Sequence, residues 1–118
     1  MATIEKLVLS GSVNGRPIPI TATGSVGNSI HTVSTSTSSF DEIWLYATNN
    51  SANATNLTLE FGNTGSADQI QSSIPSRTGL YLIVPGIPLR GNSTPPVVRA
   101  YAGTSGSISL SGWVNRIT

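Results

Sequence analysis

The sequence has no cysteine, a single histidine and few charged residues, and each scarcity excludes a class of function. Without cysteine the chain has no disulfide framework, no zinc–thiolate cluster and no thiol nucleophile. With His31 as its one histidine, a metal site built from several histidines is excluded within one chain. The formal net charge is +1, which argues against nucleic acid as a direct partner.

Long apolar runs are also missing. The most apolar stretch, residues 80–89, is interrupted by Pro85, Gly86 and Pro88, whereas a membrane-spanning helix needs about 20 apolar residues. Near the N-terminus the longest run is Leu7–Leu9, which is shorter than the apolar part of a secretory signal, about 7–15 residues. We therefore expect a protein that makes no membrane contact and is synthesised in a cytoplasm.

Hydroxyl residues take the place of the missing charges. Serine and threonine together account for 32 of 118 residues, and only 9% of residues are charged, against about 25% in an average globular chain. Serine, threonine and asparagine compete with helical hydrogen bonds, and no segment has a sustained helical period. The hydrophobic content of 37% with almost no net charge predicts a folded chain.

Alternation of apolar and polar residues predicts strands. Leu57, Leu59 and Phe61 fall on one face of such a segment, and Thr58 and Glu60 fall on the other. Similar segments, separated by clusters of glycine, proline and asparagine, predict strands at residues 4–10, 17–22, 29–35, 41–48, 55–62, 68–74, 79–84, 97–102 and 107–116. Eight or nine short strands are typical of a β-sandwich or barrel. We predict that residues 1–118 form a single all-β domain, an antiparallel β-sandwich with a jelly roll as one candidate topology.

Two local expectations accompany this prediction. Strands 41–48 and 79–84 are apolar on both faces, so each is expected to be central in a sheet or covered by another part of the structure. The segment 103–106, Gly-Thr-Ser-Gly, is expected to be the tip of a hairpin between the last two strands.

Catalytic motifs are missing from the sequence. Asp41 and Glu42 are adjacent, so in a strand they point to opposite faces and cannot act as a facing pair. His31 is the one candidate general base, but no G-x-S-x-G motif accompanies it, and we expect a histidine on a polar face. Neither a phosphate-binding glycine loop nor a dinucleotide fingerprint occurs. The sequence thus predicts a non-enzymatic protein with no catalytic residue, no metal site and no cofactor.

Aromatic and arginine residues are the candidates for a binding surface. Trp44 and Tyr46 share one strand face, and three interpretations stay open: core packing, a protein interface and a platform for stacking sugars. Five of the six basic residues are arginine, which interfaces favour because its planar fork pairs with two acceptors. The candidate protein-interface residues are Trp44, Tyr46, Arg77, Arg90, Arg99, Tyr101, Trp113 and Arg116.

Five segments carry a resemblance to a known group of proteins. They are DEIWLYATN at 41–49, NLTLEFG at 56–62, GLYLIVPG at 79–86, VVRAYA at 97–102 and SGWVNRI at 111–117. Their pattern of strands and turns resembles small all-β virion structural proteins of marine and cyanobacterial tailed phages. The resemblance covers roughly residues 40–118, whereas residues 1–39 are more generic.

This resemblance implies a capsid decoration or cement protein on the virion surface. Such a protein binds and stabilises the lattice of the major capsid protein as a homo-oligomer, a trimer in preference to a dimer. Two alternatives stay open: a neck, tail or head-completion component of the same kind of virion, and a carbohydrate-binding host-attachment β-sandwich. The resemblance assigns no catalytic or ligand-binding residue.

Overall fold

Nine strands make up the regular structure of residues 2–118, the part of the chain that the computed structural model describes. Their bounds are β1 Ile4–Val8, β2 Ile18–Pro19, β3 Asn28–Thr32, β4 Phe40–Asn49, β5 Thr55–Gly62, β6 Gln69–Ile74, β7 Tyr81–Arg90, β8 Val97–Ala102 and β9 Ile108–Ile117. One short 3-10 turn, Ser66–Asp68, precedes β6. None of these residues belongs to a helix with the length and apolarity needed to cross a bilayer.

The strands form two antiparallel sheets, which confirms the predicted β-sandwich. The larger sheet has the order β1-β9-β4-β7, and the short β2 also pairs with β9. The smaller sheet has the order β3-β8-β5-β6. Within residues 2–118, β5 and β6 are the only consecutive strands that pair. The hairpin expected at 103–106 is wrong, because β8 and β9 lie in different sheets and this segment carries the chain between them.

Alternation along the central strands decides which side chains enter the core. Ile43, Leu45 and Ala47 of β4 are fully buried, as are Leu57 and Leu59 of β5. Burying one such side chain stabilises the fold by about 1.5–3 kcal/mol. Because neighbours in a strand point to opposite faces, the buried set of β4 forces its remaining side chains onto the outer face of the larger sheet.

The strand β7 departs from the prediction, since it runs over Tyr81–Arg90 and not over 79–84. It pairs with β4 alone among the described strands, and proline is tolerated at such an edge because one side of the strand makes no ladder bonds. Pro85 and Pro88 therefore lie within the strand. Two register shifts against β4 place Val84 in the core and leave Leu82 45% exposed. The expectation of a central or covered strand is confirmed for β4, which lies between β9 and β7, and is wrong for β7.

Close approach of β9 to β4 excludes a side chain at Gly112. A methyl group there would overlap the main-chain carbonyl oxygen of Trp44. We expect Gly112→Ala to lower the free energy of unfolding by about 1–3 kcal/mol, the usual cost of overpacking, as measured by urea unfolding. Gly79→Ala is the matched control, because nothing lies within 4 Å of the added atom. Equal stabilities of the two variants would contradict this account of the β4–β9 contact.

Candidate functional site

Three aromatic side chains stack on the outer face of the larger sheet. Trp44 lies directly opposite Trp113 in the β4–β9 register, with ring centroids 5.4 Å apart and planes 8° apart. The ring of Tyr46 lies 6.0 Å from that of Trp113, at 23°. We call these three residues the aromatic face. The structure thus brings together three of the residues predicted from sequence to form an interface, and all three are half-buried.

Polar neighbours hold the aromatic face in one arrangement. Glu42 accepts hydrogen bonds from Trp44 Nε1 at 2.9 Å and from Asn115 Nδ2 at 3.0 Å. These bonds, that from Trp44 first, favour the ionised carboxylate and lower the pKa of Glu42. Lys6 Nζ lies 5.0 Å from the centroid of the Trp113 ring, within the range of a cation–π contact. The hydrogen bond to Glu42 therefore orients the Trp44 ring, on which Trp113 stacks.

Apolar residues extend the aromatic face across the sheet. Val8 of β1 lies opposite Trp113, and Pro85 of β7 lies opposite Trp44. Val8 is 54% exposed. The indole nitrogen of Trp113, Nε1, is buried and has no hydrogen-bond partner among residues 2–118. A continuous apolar row of this kind is a feature of surfaces that bind another molecule.

The Trp44 ring needs a glycine beneath it on β7. Gly86 has a φ of +75°, and a Cβ atom there would lie 2.7 Å from Trp44 Cζ2. Glycine alone combines that backbone conformation with the missing side chain at low cost. The sequence Pro85-Gly86 is typical of the end of a strand, but here it continues the strand, and Gly86 leaves the space that the Trp44 indole ring occupies.

The remaining predicted interface residues do not join the aromatic face. Arg90 lies at one end of the larger sheet, where its guanidinium carbon is 4.8 Å from the Phe40 ring centroid. Arg99 and Tyr101 lie on β8 of the smaller sheet, where they alternate with buried Val98, Ala100 and Ala102 and therefore face outward on the opposite side of the sandwich. Arg77 is exposed in the turn between β6 and β7.

Arg116 points inward, into a buried cluster with His31 and Asp41. Its Nε and Nη2 atoms donate to Asp41 Oδ1 and Oδ2, each at 2.8 Å. His31 Nε2 lies 2.7 Å from Asp41 Oδ2. His31 belongs to β3 of the smaller sheet, whereas Asp41 and Arg116 belong to β4 and β9 of the larger sheet. We call these three residues the inter-sheet cluster, because they join the two sheets by ionic hydrogen bonds.

The predicted polar-face position of His31 is wrong, since the residue is only 2% exposed. Its strand has a register shift against β8 between Ser29 and His31, and this irregularity buries both Ile30 and His31. The Ser10 main-chain N–H donates to His31 Nδ1 at 3.1 Å, so His31 is neutral and carries its proton on Nε2. Burial lowers the pKa of His31 and outweighs the opposing effect of Asp41.

The arrangement of the inter-sheet cluster suits a role in stabilising the fold and not the activation of a nucleophile. A histidine–aspartate pair activates a nucleophile only when the second ring nitrogen accepts from a hydroxyl or thiol, and here that nitrogen accepts from a main-chain amide. Burial alone would raise the pKa of Asp41, but hydrogen bonds from Arg116 and His31 hold it below its usual value. Among residues 2–118 no group of three or more histidine, aspartate or glutamate side chains is arranged to hold a metal ion.

The geometry thus offers the aromatic face as an exposed candidate site, supported by an interior cluster. Comparison with known proteins identifies no relative of this chain. No protein-family model matches the chain, and neither the curated proteins nor the solved structures compared with it contain a match.

Proposed function

We propose that this protein is a non-enzymatic binding module that docks through its aromatic face on another protein. The single observation that carries the proposal is the stacked, half-exposed row of Trp44, Trp113 and Tyr46. Tryptophan and tyrosine are enriched at the energetic centres of protein interfaces, because they bury a large area at little cost in side-chain entropy.

The edge of the larger sheet supports docking through a face and not through strand addition. One of the two edge strands of this sheet, β7, contains Pro85 and Pro88 and two register shifts against β4. Prolines and bulges at an edge prevent another strand from pairing there. A partner that approaches this edge therefore meets exposed side chains and not a strand open to pairing.

Together with the resemblance to phage virion proteins, this face supports a role as a capsid decoration or cement protein. Its partner is then the lattice of the major capsid protein, and its location is the virion surface. A protein that binds the assembled shell and not its separated subunits stabilises the shell by mass action. A homo-oligomer, a trimer in preference to a dimer, adds avidity on a repeating lattice.

The order of the strands supports a jelly roll. With the short β2 set aside, the sheets β1-β9-β4-β7 and β3-β8-β5-β6 have the connectivity of two interleaved Greek keys. Jelly rolls occur in viral capsid proteins and in lectins, so this support is by analogy of fold. It fits both the capsid proposal and a second candidate function.

That second candidate is carbohydrate binding in host attachment. It is favoured by the polar groups that border the stacked rings, namely Glu42, Asn115 and Lys6. Aromatic rings with a few fixed polar groups at their margin are a usual arrangement in ligand sites. The two functions differ in what they bind, so one set of variants distinguishes them.

The test replaces an exposed residue beside the aromatic face. Leu82 is 45% exposed and pairs with Tyr46, so Leu82→Glu places a charge in the proposed contact without opening a cavity. We expect binding to purified capsid shells, measured by cosedimentation, to weaken about 30-fold, because the new carboxylate would be desolvated in the contact without a partner. Val13→Glu is the control, because Val13 is 68% exposed and lies in the loop between β1 and β2.

Three outcomes would contradict the capsid proposal. Wild-type protein that does not sediment with shells removes it, as does equal binding by the Leu82 and Val13 variants. Glycan binding that Trp44→Ala abolishes, together with no shell binding, establishes the carbohydrate function instead. Quantitative mass spectrometry of virions then assigns the position, since hundreds of copies indicate decoration and about a dozen indicate a neck or tail component.

A further inference from the structure

A second candidate site lies at one end of the sandwich, where β5 and β7 end and β8 begins. It is an open cleft of about 570 Å³. Arg90 and Arg99 both line it, so two predicted interface residues from different sheets meet at one cleft. None of the three residues of the aromatic face lines it.

Both arginines keep their charge available for a ligand. Arg90 is stacked on Phe40 and donates to the Thr37 main-chain oxygen at 3.4 Å. Neither Arg90 nor Arg99 has a carboxylate oxygen within 4 Å among residues 2–118. In that described part of the chain, no aspartate or glutamate lines the cleft.

The one carboxylate adjacent to Arg99 in the sheet is engaged elsewhere. Glu60 pairs with Arg99 in the β5–β8 register and is fully buried. Its two oxygens accept from Ser25 Oγ at 2.5 Å and from the Gly27 main-chain N–H at 2.7 Å. The loop before β3 therefore satisfies Glu60 and leaves the Arg99 guanidinium for the cleft.

The amide side chains of the cleft add donors. Asn63 Oδ1 accepts from the Thr64 main-chain N–H at 2.8 Å, and Asn92 Oδ1 accepts from the Thr94 main-chain N–H at 3.0 Å. With both oxygens used in these local turns, the amide NH₂ groups have no partner among residues 2–118 and remain available as donors. A cleft with two guanidinium groups, two free amide donors and no carboxylate selects an anionic ligand.

We propose that this cleft binds an acidic peptide segment. Its carboxylates pair with Arg90 and Arg99, for which the guanidinium fork is the matching donor. The rings of Pro95 and Pro96 form an apolar wall of the same cleft, against which the apolar side chains of an extended peptide pack. Because the cleft combines two guanidinium groups with an apolar wall, it suits a ligand that carries both carboxylates and apolar side chains, which a lone phosphate or carboxylate does not.

The test measures peptide binding directly by fluorescence anisotropy of a labelled short peptide that alternates glutamate with leucine. We expect Arg90→Gln and Arg99→Gln each to weaken binding by about fivefold to tenfold, the loss of one charged hydrogen-bonding partner at a partly exposed site. Arg77→Gln and Arg16→Gln make the same change of charge outside the cleft and are expected to bind as the wild type does. Binding is expected to weaken as salt is raised.

Four results would overturn the proposal. They are no binding by the wild-type protein, equal binding of a peptide that alternates glutamine with leucine, equal losses in all four arginine variants, and displacement of the peptide by inorganic phosphate at the peptide's own affinity. The last would establish a site for a small anion. Shell binding plays no part in this experiment, so its result is independent of the capsid proposal, and far-ultraviolet circular dichroism verifies that each variant is folded.

Discussion

Replacement of Asp41 by asparagine is expected to lower the free energy of unfolding by about 3–5 kcal/mol, the usual cost of breaking a buried ion pair. The carboxylate is fully buried and accepts three hydrogen bonds, two from Arg116 and one from His31. Asparagine has nearly the same shape, but it carries no charge and has one acceptor oxygen. The Arg116 guanidinium, whose side chain is 27% exposed, then loses its counter-charge in a largely desolvated position.

Glu42→Gln is the matched control for this prediction. Glu42 is the next residue of the same strand and faces outward, so the variant makes the same change of charge and shape at a half-exposed position. We expect its free energy of unfolding to stay close to the wild-type value, as for most surface substitutions. Urea unfolding measures both. Similar losses in the two variants would show that net charge, and not the inter-sheet cluster, determines stability.

The sequence predicts the faces of the strands because burial imposes a period of two. The alternation in 41–48 separates Ile43 and Leu45 from Trp44 and Tyr46 but leaves open which set enters the core. The structure buries the first set and leaves the second half-exposed on the outer face, so the core-packing interpretation of the aromatic pair is wrong. The same reasoning separates Asp41 from Glu42, and the structure puts the first in the interior and the second on the outer face. The local pattern is sufficient to separate these side chains because the face on which a side chain lies depends only on its position in its own strand.

Pairing between strands was not predictable from the same pattern. Apart from β5 and β6, strands that pair within residues 2–118 are distant in the chain, and an alternating segment does not specify its neighbour. The extent of β7 was missed for a related reason. Proline and glycine end a central strand, but at an edge Pro85, Gly86 and Pro88 are compatible with pairing, and only the strand order reveals that β7 is an edge.

The candidate sites, too, were predictable only where their residues belong to one strand. Trp44 and Tyr46 were predictable as neighbours because they belong to one strand, whereas the stack with Trp113 depends on the β4–β9 register. The burial of His31 depends on the register shift of β3 against β8, which the residue types in β3 do not predict. The cleft between Arg90 and Arg99 depends on the meeting of two sheets, and nothing in the sequence places these residues together.

The inter-sheet cluster and the aromatic face share the same two strands. Asp41 and Arg116 lie opposite each other in the β4–β9 register, and Glu42 and Asn115 form the next pair along it. Inward side chains of these pairs join the sheets, and outward side chains orient Trp44. Loss of the cluster is therefore expected to loosen the register on which the aromatic face depends.

Acid is expected to destabilise the protein in two main steps through the inter-sheet cluster, and Glu42, whose pKa is also lowered by its hydrogen bonds, adds to the step at lower pH. Burial lowers the pKa of His31 below its usual value of 6.5, so below that pH the unfolded chain takes up a proton that the folded chain does not. Stability is present in full above about pH 6.5 and falls below it until the lowered pKa of the folded state is reached. Within this window the loss is at most about 1.4 kcal/mol per pH unit.

The second step belongs to Asp41. Although burial alone would raise its pKa, hydrogen bonds from Arg116 and His31 hold the pKa of Asp41 below its usual value of 3.8. Its contribution is present above that pH and is lost as the pH falls through the lower pKa of the folded state. Once Asp41 is protonated, Arg116 keeps its positive charge without a counter-charge, and the contribution of the ion pair to stability is lost.

Urea unfolding from neutral pH down to about pH 1.5, well below the usual pKa of Asp41, measures both steps. In His31→Asn the step that begins near pH 6.5 should disappear, because no other histidine titrates there, while the lower step remains. In Asp41→Asn the lower step should shrink. A wild-type stability that stays constant between pH 6.5 and pH 5 would mean that His31 accepts a proton in the folded protein as readily as in the unfolded chain. That result would contradict the hydrogen bond from the Ser10 main chain to His31 Nδ1 on which its neutral state depends.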